Sequence, residues 1–328
     1  MDKKRATMKD VAKLAGVTQP TVSYVINKTA NISLEVTERL NQAIKELKYE
    51  PNYSAVALKT NRTRMIGVII PDISNEYYAK LVNIVVSLLA ENGYTLMIHS
   101  TSYCEDIEEQ CVKSQLTYNV DGFIVMYQMR SQVCLDMLRD SGKKVVILEG
   151  GTQYKNISYI NTDNLYGGYT ATKYLLDQGR KNIVYIDQYD SLIALNARRD
   201  GYIKAMKEAG LYRKDLIFST SKPGDKWEEG ILLGRQLLLH DIDGIIVSSD
   251  IIAIGILKTF LMAGKKIPEE VALVGYDDVP LARLFMPALT TMEQPVEAMC
   301  KLAVQRIIGE KETGNKVFKP HLIIRETA

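Results

Sequence analysis

The chain contains 328 residues, of which 46% are hydrophobic and 24% are charged, so two or three domains can bury cores of ordinary size. This composition excludes a wholly disordered protein. The net charge of +2 is unevenly distributed, because residues 1–64 have 12 basic and 6 acidic side chains (+6) and the remainder has 29 and 33 (−4). A basic N-terminal segment ahead of a mildly acidic remainder predicts a polyanionic partner for the N-terminus.

Other composition signals concern the compartment and cofactors. The cysteines show no metal-ligand spacing, which predicts reduced thiols and no metal or other cofactor; they are Cys104, Cys111, Cys134 and Cys300. The basic run at residues 3–5 leads into an amphipathic helix rather than the apolar core of a signal peptide. Residues 245–264 are nearly long enough to span a membrane, but Asp250 and Lys258 interrupt them. We therefore predict a soluble, cytoplasmic protein with no membrane partner.

The first predicted element is a short helix that begins at Met8. Thr7 is its N-cap candidate, and Asp10 occupies the position of a capping-box acid. The apolar stripe of this helix consists of Val11, Leu14 and Ala15. Gly16 follows the stripe and predicts a left-handed residue that ends the helix.

A second short helix follows directly. Thr18 is its N-cap candidate, and Pro20 lies in its first turn, where the missing N–H is harmless. Its buried side consists of Val22, Val25 and Ile26. Two helices joined by a glycine turn within residues 7–27 predict a helix-turn-helix unit, whose second helix enters a major groove of DNA.

A third helix completes a predicted DNA-binding head of residues 1–49. Ser33 caps it, and its apolar face consists of Val36, Leu40, Ala43, Ile44 and Leu47. Pro51 breaks the helix, and residues 50–61 form a segment with helical composition that is too short to be stable alone. The segment is either a plain linker or a hinge helix that folds on DNA and inserts Leu58 into a minor groove.

From Met65 onward, short apolar runs alternate with helical patterns. The predicted strands are Met65–Ile70, Tyr94–His99, Gly122–Met126, Lys143–Glu149, Asn182–Asp187, Asp215–Ser219, Gly244–Ser248 and Val271–Tyr276. The predicted helices are Tyr78–Glu91, Asp106–Tyr118, Gln132–Ser141, Gly168–Gln178, Ala197–Ala209, Trp227–Leu239 and Ala253–Ala263. The alternation predicts two doubly wound parallel-sheet subdomains, with ligand-contacting groups at strand carboxyl ends in the cleft between them.

Motifs of common enzyme classes are absent from this body. The sequence contains no G-x-G-x-x-G, Walker, G-x-S-x-G or H-E-x-x-H pattern. An enzyme is therefore the least favoured of three hypotheses, behind a DNA-binding regulator and a stand-alone sugar-binding module without regulatory function. The basic head argues against the sugar-binding module.

Three stretches of the chain carry a family resemblance: DVAKLAGVTQPTVSYVIN, YEPNYSAVALKTNRTRMIGVIIPDISNEYY, and VALVGYDD followed by PALTTMEQP. They are similar to the lactose-repressor and galactose-repressor (LacI/GalR) family of bacterial transcription regulators. The resemblance implies an all-α helix-turn-helix head and hinge helix joined to a periplasmic-binding-protein-like α/β body. We place the N-terminal effector subdomain at residues 62–161 and about 292–318, and the C-terminal one at residues 162–291 and about 319–328.

The resemblance also implies DNA contacts. Positions that contact phosphates or frame the helices are matched by Thr7, Thr18, Thr21, Ser23, Asn27 and Asn31. Gln19 and Pro20 match the pair that reads base edges, but Pro20 offers only apolar contact. Tyr24 replaces the usual arginine, a bidentate partner for guanine, so the operator sequence of relatives does not transfer. The hinge positions are matched by Asn52, Ala55 and Leu58.

Effector contacts are implied on both sides of the cleft. Tyr77 and Tyr78 match positions of the N-terminal subdomain, although a helix start that simply packs on the sheet is the alternative. The positions of the C-terminal subdomain are matched by Arg198, by Ser249 or Asp250, and by Asp277. Arg199 is the rival of Arg198. An arginine and carboxylates at strand ends suit a ligand rich in hydroxyls or carrying an anion.

Two further positions bear on the identity of the effector. Glu149 occupies the place of a stacking aromatic in purine-binding members, which argues against a purine, and Trp227 is a candidate platform for a sugar face. The leading hypothesis is a homodimeric repressor of a quasi-palindromic double-stranded operator, controlled by a sugar or sugar phosphate in the cleft. A protein co-effector is kept as an alternative.

Overall fold

Two units make up the chain, Met1–Thr63 and Arg64–Ala328. The computed structural model describes residues 6–27, 30–49, 62–151, 157–188, 192–221, 226–309 and 314–328. The predicted hinge residues Asn52, Ala55 and Leu58 lie outside the described residues, as does the side chain of Asn27. Their assignment stays a prediction.

The described part of the first unit is a head of three helices. Its helices are α1 (Met8–Ala15), α2 (Gln19–Asn27) and α3 (Leu34–Glu46). The predicted capping box is confirmed, because Thr7 Oγ1 accepts a hydrogen bond from the Asp10 N–H and the Asp10 carboxylate accepts one from the Thr7 N–H at 2.9 Å. Gly16 has the predicted left-handed conformation, with φ 65°. Local sequence signals therefore fix both ends of α1.

The other two helices also begin at predicted caps. The Thr21 N–H donates to Thr18 Oγ1 at 3.4 Å, and the Val36 N–H donates to Ser33 Oγ at 3.5 Å. The three helices enclose a small core, in which the fully buried side chains are Val11, Val22 and Leu40. The head thus has a hydrophobic centre of its own.

Leu14 corrects the predicted apolar stripe of α1. Its side chain is 47% exposed, whereas Val11, Ala12 and Ala15 are buried. Successive helical residues are about 100° apart, so a buried face centred on Ala15 leaves Leu14 at its margin. Ala12 takes the place that the sequence pattern assigned to Leu14.

The second unit, which we call the body, contains two six-stranded sheets. The strands are β1 (Met65–Ile70), β2 (Thr95–Ser100), β3 (Gly122–Val125), β4 (Lys144–Leu148), β5 (Ser158–Thr162), β6 (Ile183–Asp187), β7 (Ile217–Ser219), β8 (Gly244–Val247), β9 (Ala272–Asp277), β10 (Thr290–Glu293), β11 (Lys316–Phe318) and β12 (His321–Ile323). The first sheet has the order β11-β5-β4-β3-β1-β2, and the second has the order β12-β10-β9-β8-β6-β7. Neighbouring strands are parallel except β12, which runs antiparallel to β10. The predicted pair of doubly wound sheets is confirmed, with one antiparallel edge strand.

Helices cover both sheets. They are α4 (Glu76–Glu91), α5 (Glu105–Thr117), α6 (Gln132–Asp140), α7 (Asn164–Asp177), α8 (Ile193–Glu208), α9 (Lys226–Leu237), α10 (Asp250–Met262), α11 (Pro280–Leu284) and α12 (Val296–Ile308). We call the first sheet with α4, α5, α6 and α12 the first subdomain, and the second sheet with α7 to α11 the second subdomain. A helix with the length and apolarity needed to cross a bilayer does not occur among those described.

Four strands and two helices were missed by the sequence patterns. They are β5, β10, β11, β12, α11 and α12. Strands β11 and β12 have only three residues each, and β10 lacks an apolar run, so periodicity gives little signal for them. The chain passes from one subdomain to the other three times, and we call these passages crossings. They follow β5, β10 and β11, which are all among the missed strands. The polar site described next is built around the first two of these crossings.

Candidate ligand-binding cleft and DNA-contacting surface

The exposed face of α2 carries the predicted base-reading residues. Gln19, Pro20 and Tyr24 are exposed, and Tyr24 keeps 46% of its surface accessible although the opposite side of the helix is buried through Val22. Such an aromatic ring on an otherwise polar helix face is available to a partner surface. The three predicted base-reading residues are therefore accessible, and their contact with DNA stays a prediction.

The remaining predicted DNA contacts fall into two groups. Some hydroxyls already serve helix ends: Thr7 Oγ1 lies 2.6 Å from Asp10 Oδ2, and the hydroxyls of Thr18 and Thr21 are 2.9 Å apart. The others are Ser23, which is half-buried, and Asn31, which is exposed. Thr7, Thr18 and Thr21 therefore frame the helices, and contacts of any of these residues with phosphate stay predictions.

Arg198 is the centre of the polar site in the body. This α8 residue is only 5% exposed. Its Nε donates to Asn164 Oδ1 at 2.8 Å, and its Nη1 donates to the Ser248 carbonyl oxygen at 2.7 Å. Nη1 also lies 3.5 Å from Asp277 Oδ1, and the guanidinium carbon is 3.7 Å from the ring centroid of Tyr276. A guanidinium has five N–H donors, and the hydrogen bonds to Asn164 and Ser248 use two of them, so the predicted effector residue has further donors for a ligand.

The charges of Arg198 and Asp277 depend on each other. Burial raises the pKa of Asp277 above its ordinary value, and the nearby guanidinium opposes the rise. Burial is the largest single influence on the pKa of Arg198 and acts to lower it. The negative charges around it, of which Asp277 has the largest effect, together outweigh burial and leave that pKa above its ordinary value. The site therefore holds a permanent, buried cation, which suits hydroxyl-rich or anionic ligands.

Gln294 joins this cation to the first subdomain. It lies in the crossing after β10 and is almost completely buried. Its Oε1 accepts hydrogen bonds from the Tyr77 hydroxyl at 3.2 Å and the Thr162 hydroxyl at 2.8 Å, both from the first subdomain. Its Nε2 donates to Asp277 Oδ1 at 2.7 Å in the second subdomain. One amide thus bridges the two halves of the cleft. Gln294 belongs to the stretch PALTTMEQP, but its neighbours in sequence do not indicate a role for it.

Glu149 extends the same network from the end of β4. Its Oε1 accepts from the Thr162 N–H and its Oε2 from Asn164 Nδ2, both at 2.7 Å. Burial raises its pKa, and the hydrogen bonds and Arg198 partly offset the rise. Glu149 therefore lies with the other predicted effector residues. Asn164, which touches both Glu149 and Arg198, was not identified from the sequence, because the strand before it was missed.

The structure separates the two alternatives Ser249 and Asp250. Asp250 is fully buried, with Oδ1 accepting from the Thr291 hydroxyl at 2.6 Å and Oδ2 from the Val279 N–H at 3.0 Å. Both oxygens thus hold β10 against the loop after β9. The Ser249 hydroxyl has no partner among the described residues, although it is buried. Of the two, Ser249 has the open hydrogen-bonding atom.

Ser249 is one of several unpaired hydroxyls near Arg198. The buried hydroxyls that lack a partner in the described part of the second subdomain are those of Tyr185, Ser248, Ser249 and Tyr276. A buried polar group without a partner costs about 1–3 kcal/mol. The carboxyl ends of β8 and β9 therefore gather several groups that a polar ligand would satisfy.

A group of four tyrosines lies at the strand ends of the first subdomain. The tyrosine group consists of Tyr77, Tyr78, Tyr103 and Tyr127. The first two rings meet edge to face with centroids 5.2 Å apart, and the other two do so at 6.0 Å. The Tyr127 hydroxyl donates to the buried Glu108 at 2.6 Å, which fixes its ring. Tyr77 and Tyr78 are both buried, which agrees with the alternative that this helix start packs on the sheet. The Tyr77 hydroxyl also donates a hydrogen bond to Gln294 and so contacts the Arg198 network.

Backbone strain is concentrated at the same strand ends. Positive φ angles occur at Ser102 (51°) and Tyr103 (57°) after β2, and at Glu149 (55°) after β4. Asp277 (113°) and Asp278 (50°) have them where β9 ends. Non-glycine residues adopt this region rarely and at a cost of about 1–3 kcal/mol, and such residues cluster at ligand sites.

Two direct contacts close the cleft around these groups. Gln128 Oε1, from the loop after β3, accepts a hydrogen bond from the Ile193 N–H at the start of α8 at 2.8 Å. Lys80 of α4 donates to the Asp278 carbonyl oxygen at 3.4 Å. Both contacts run from the first subdomain to the second. The two subdomains are therefore in direct contact next to the predicted effector residues Arg198 and Asp277.

The remaining predicted effector residue is Trp227. The Trp227 indole lies beside α10, with Lys258 Nζ 5.5 Å from its ring, and it packs on the core. Its role as a sugar platform stays a prediction. Within the described ranges, His, Cys, Asp and Glu side chains form no group of three or more that could hold a metal ion.

A head with an exposed helix-turn-helix surface and a body with a polar cleft between two subdomains define a ligand-controlled DNA-binding regulator. The chain belongs to the lacI family of bacterial regulatory proteins: residues 7–52 match the model "Bacterial regulatory proteins, lacI family", and residues 172–328 match "Periplasmic binding protein-like domain". Members bind operator DNA and small-molecule effectors and act as dimers. The chain is accordingly a transcriptional repressor, and neither an enzyme nor a stand-alone sugar-binding module.

Individual relatives support this assignment along the whole chain. The HTH-type transcriptional repressor PurR of Pasteurella multocida (strain Pm70) is 32% identical over 332 residues, which cover 98% of each chain. The ribose operon repressor of Escherichia coli (strain K12) is 34% identical over 307 residues, or 92% of each chain.

Solved structures show the same architecture. A transcriptional regulator CelR–cellobiose complex has 29% identity and a TM-score of 0.72, covering 99% of this chain and 100% of that one. The lac repressor dimer bound to operator and the anti-inducer ONPF has a TM-score of 0.87 over 99% of both chains at 22% identity, which shows the fold.

Proposed function

We propose that this repressor acts in the cytoplasm as a homodimer on a quasi-palindromic operator and is controlled by a sugar-like effector in the cleft of the body. The observation that carries the proposal is the network of Arg198, Asp277 and Gln294. It combines a buried cation that has an open donor with an amide that touches both subdomains. A ligand at Arg198 would therefore act on the contacts that set the angle between subdomains.

The effector class rests on the chemistry of the cleft and on two relatives. Arginine and carboxylate groups bind vicinal hydroxyls well, and aromatic rings pack against the apolar faces of sugars. The relatives include a ribose operon repressor and a regulator solved with cellobiose. We assign contacts with the effector to Tyr77, Glu149, Arg198, Ser249 and Asp277, of which Glu149 and Asp277 are acceptors. Tyr78 and Trp227 supply apolar surface.

On the DNA side, we assign the major-groove contacts to the exposed residues of α2. Gln19 supplies the hydrogen bonds to base edges, whereas Pro20 and Tyr24 supply apolar contacts such as those made with thymine methyl groups. Thr7, Thr18, Thr21, Ser23, Asn27 and Asn31 approach phosphates, and Asn52, Ala55 and Leu58 form the hinge. In each dimer, two heads would read two half-sites while the hinges open the minor groove between them.

Selection of bound fragments from a genomic library by the full-length protein tests operator binding. We expect recovery of a two-fold-related sequence at about 0.15 M salt, where non-specific phosphate contacts are weakened. Footprinting of the recovered fragment checks the half-site spacing. Recovery of fragments without a common sequence would refute sequence-specific regulation.

Leu58→Ala tests the proposed wedge in the hinge. Because a minor-groove wedge acts only on the specific, bent operator, we expect a larger loss of affinity for the operator than for random DNA. Gel-shift titrations with both DNAs at equal salt measure the two losses. Asn61→Ala, at the last residue of the predicted hinge segment and outside its predicted DNA contacts, is the control variant. Equal losses on both DNAs for Leu58→Ala would contradict the wedge.

A further inference from the structure

A buried carboxylate, that of Glu108, lies next to the tyrosine group. Glu108 belongs to α5 of the first subdomain and is completely shielded from solvent. Its Oε1 accepts a hydrogen bond from the Tyr127 hydroxyl at 2.6 Å, and its Oε2 accepts one from the Ser131 N–H at 2.8 Å. The Arg130 N–H is shared between the two oxygens at 3.2 and 3.1 Å. All three donors belong to residues 127–131, which we call the β3–α6 loop.

The loop supplies what a buried charge needs. Burial of a carboxylate is costly unless the charge is paired or hydrogen-bonded, and the donors that Glu108 has are a hydroxyl and two backbone N–H groups of the loop. Glu108 lies in the first turn of α5, and its donor Ser131 is the N-cap of α6, so the positive ends of two helix dipoles also favour the charge. The loop therefore keeps the shape that directs these groups at one carboxylate.

Both ends of the loop are fixed by this arrangement. Burial, and after it the charge of Glu108, raise the pKa of Tyr127, so its hydroxyl keeps the proton that it donates to Glu108. The same hydroxyl lies 2.9 Å from that of the buried Thr101, which follows β2. At the other end, Ser131 Oγ accepts a hydrogen bond from the Cys134 N–H at 3.3 Å and so caps α6. The loop is thus held at its first and last residues.

Between these fixed ends, the loop contacts the second subdomain. Gln128 Oε1 accepts a hydrogen bond from the Ile193 N–H at 2.8 Å, at the start of a helix that has no side-chain cap of its own. The guanidinium carbon of Arg130 lies 5.6 Å from the ring centroid of Tyr103, and Lys226 Nζ of the second subdomain lies 6.0 Å from the same centroid. The shape of the loop therefore decides where α8 is met by the first subdomain.

We propose that Glu108 is a positioning residue for the contact between the subdomains: it holds the β3–α6 loop in the shape in which Gln128 caps α8. Glu108 acts through the loop rather than on α8 directly. The start of α8 matters because the same helix carries Arg198, the buried cation of the cleft. The consequence for regulation rests on the proposed function, whereas the positioning itself is a property of the ligand-free protein.

Hydrogen exchange at the Ile193 N–H of the full-length, ligand-free protein tests the assignment. In Glu108→Gln, one carboxylate oxygen becomes an NH2 group, which cannot accept a hydrogen bond from the loop, while the volume of the side chain stays nearly the same. We expect exchange at Ile193 to accelerate about threefold or more. Glu109→Gln is the matched control, because Glu109 is the next residue of α5 and is partly exposed. It should leave the rate unchanged.

A double variant separates positioning from a general loss of stability. If Glu108 acts through Gln128, then Gln128→Ala already removes the contact that Glu108 maintains. We therefore expect Glu108→Gln/Gln128→Ala to exchange at Ile193 at the same rate as Gln128→Ala alone. If Glu108 only stabilised the first subdomain, the two substitutions would act independently and their accelerations would multiply.

Tyr127→Phe is a second, milder variant, since it removes one donor to Glu108 and keeps the buried ring. It should accelerate exchange at Ile193 less than Glu108→Gln does, and not at all when Gln128 is already alanine. Unchanged exchange in both Glu108→Gln and Tyr127→Phe would overturn the inference, as would accelerations that multiply in the double variants. Neither result would bear on operator binding or on the effector class, which the selection and binding experiments test separately.

Discussion

At the scale of single residues, the structure resolves choices that the sequence left open. Arg198 and its neighbour Arg199 are rival candidates for the arginine that contacts the effector. Only Arg198 is buried against Tyr276 and Asp277. Arg199 instead pairs with Asp187 at 2.8 Å and remains one-third exposed. One residue of helical rotation separates the two side chains by about 100°, and a weak apolar pattern cannot fix that rotation from sequence.

Arg198→Leu should destabilise the body by about 3–5 kcal/mol, because it leaves a buried carboxylate at Asp277 without its cation. Urea unfolding followed by circular dichroism measures the loss. The double variant Arg198→Leu/Asp277→Asn should recover part of it. Arg139→Leu is the control, since Arg139 pairs with Asp136 at the surface and should cost less than about 1 kcal/mol. An equal effect at both arginines would contradict a buried charge network.

Asp250 makes a pH-dependent contribution to stability. Because burial raises its pKa in the folded state, the folded protein holds this proton more tightly than the unfolded chain does above the ordinary pKa of 3.8. The free energy of unfolding contributed by this group therefore falls as the pH rises above that value, by at most about 1.4 kcal/mol per pH unit. Asp250→Asn keeps an acceptor for the Val279 N–H and should remove this fall.

Unfolding of the wild type and of Asp250→Asn in urea at pH 5 and at pH 7.5 checks this expectation. The stability of the variant relative to the wild type should rise between the two pH values. Glu109→Gln is the control for general effects of removing a carboxylate, because the Glu109 side chain on α5 is partly exposed. Parallel pH curves for wild type and Asp250→Asn would show that Asp250 is ionised in the folded protein.

At the scale of elements, α8 depends on neighbours in both subdomains. Glycines let α7 and α8 approach closely, since a Cβ at Gly168 would meet the Arg198 carbonyl oxygen and one at Gly201 would meet the Leu165 carbonyl oxygen. The start of α8 has no side-chain cap from Leu192. Gln128 of the first subdomain supplies the acceptor instead. The sequence predicted α8 but placed its start at Ala197, because the first turn contains no capping residue of its own.

Gln128→Ala should loosen the first turn of α8. A helix cap contributes about 1 kcal/mol, so we expect amide hydrogen exchange of the Ile193 N–H to accelerate about fivefold. Mass spectrometry or NMR of the ligand-free protein measures the rate. Gln236→Ala, at an exposed position of α9, is the control. Unchanged exchange at Ile193 would show that the contact between Gln128 and α8 is not formed in solution.

At the scale of the whole molecule, the sequence predicted the two sheets and most of their helices, but not the segments where the chain passes from one subdomain to the other. Alternating apolar runs were enough to identify both sheets, since buried parallel strands such as Met65–Ile70 are apolar throughout. The crossings follow strands such as Thr290–Glu293, which are short and polar, and their pairing is set by distant neighbours. The site was predicted in part for the same reason. Arg198 lies near the start of a predicted helix and Asp277 directly follows a predicted strand, whereas Asn164 and Gln294 belong to crossings after missed strands.

We therefore expect Gln294 to affect the coupling between effector binding and operator binding more than effector affinity itself. If an effector changes operator affinity by some factor, the operator must change effector affinity by the same factor. Gln294→Leu keeps the buried volume roughly constant but removes the hydrogen bonds to Tyr77, Thr162 and Asp277. We expect both reciprocal factors to fall together toward one, because the effector would no longer act on contacts shared by the two subdomains.

Titrating effector with and without operator, and operator with and without effector, gives the two factors independently. The typical coupling between sites of 1–3 kcal/mol corresponds to about 5–150-fold, so its loss is easily measured. Gln236→Leu, which lies on the surface of α9, should leave both factors unchanged. If Gln294→Leu weakens effector binding yet preserves the coupling factor, Gln294 is a ligand contact only. The angle between subdomains must then be set by other contacts, such as that of Lys80 with the Asp278 carbonyl oxygen.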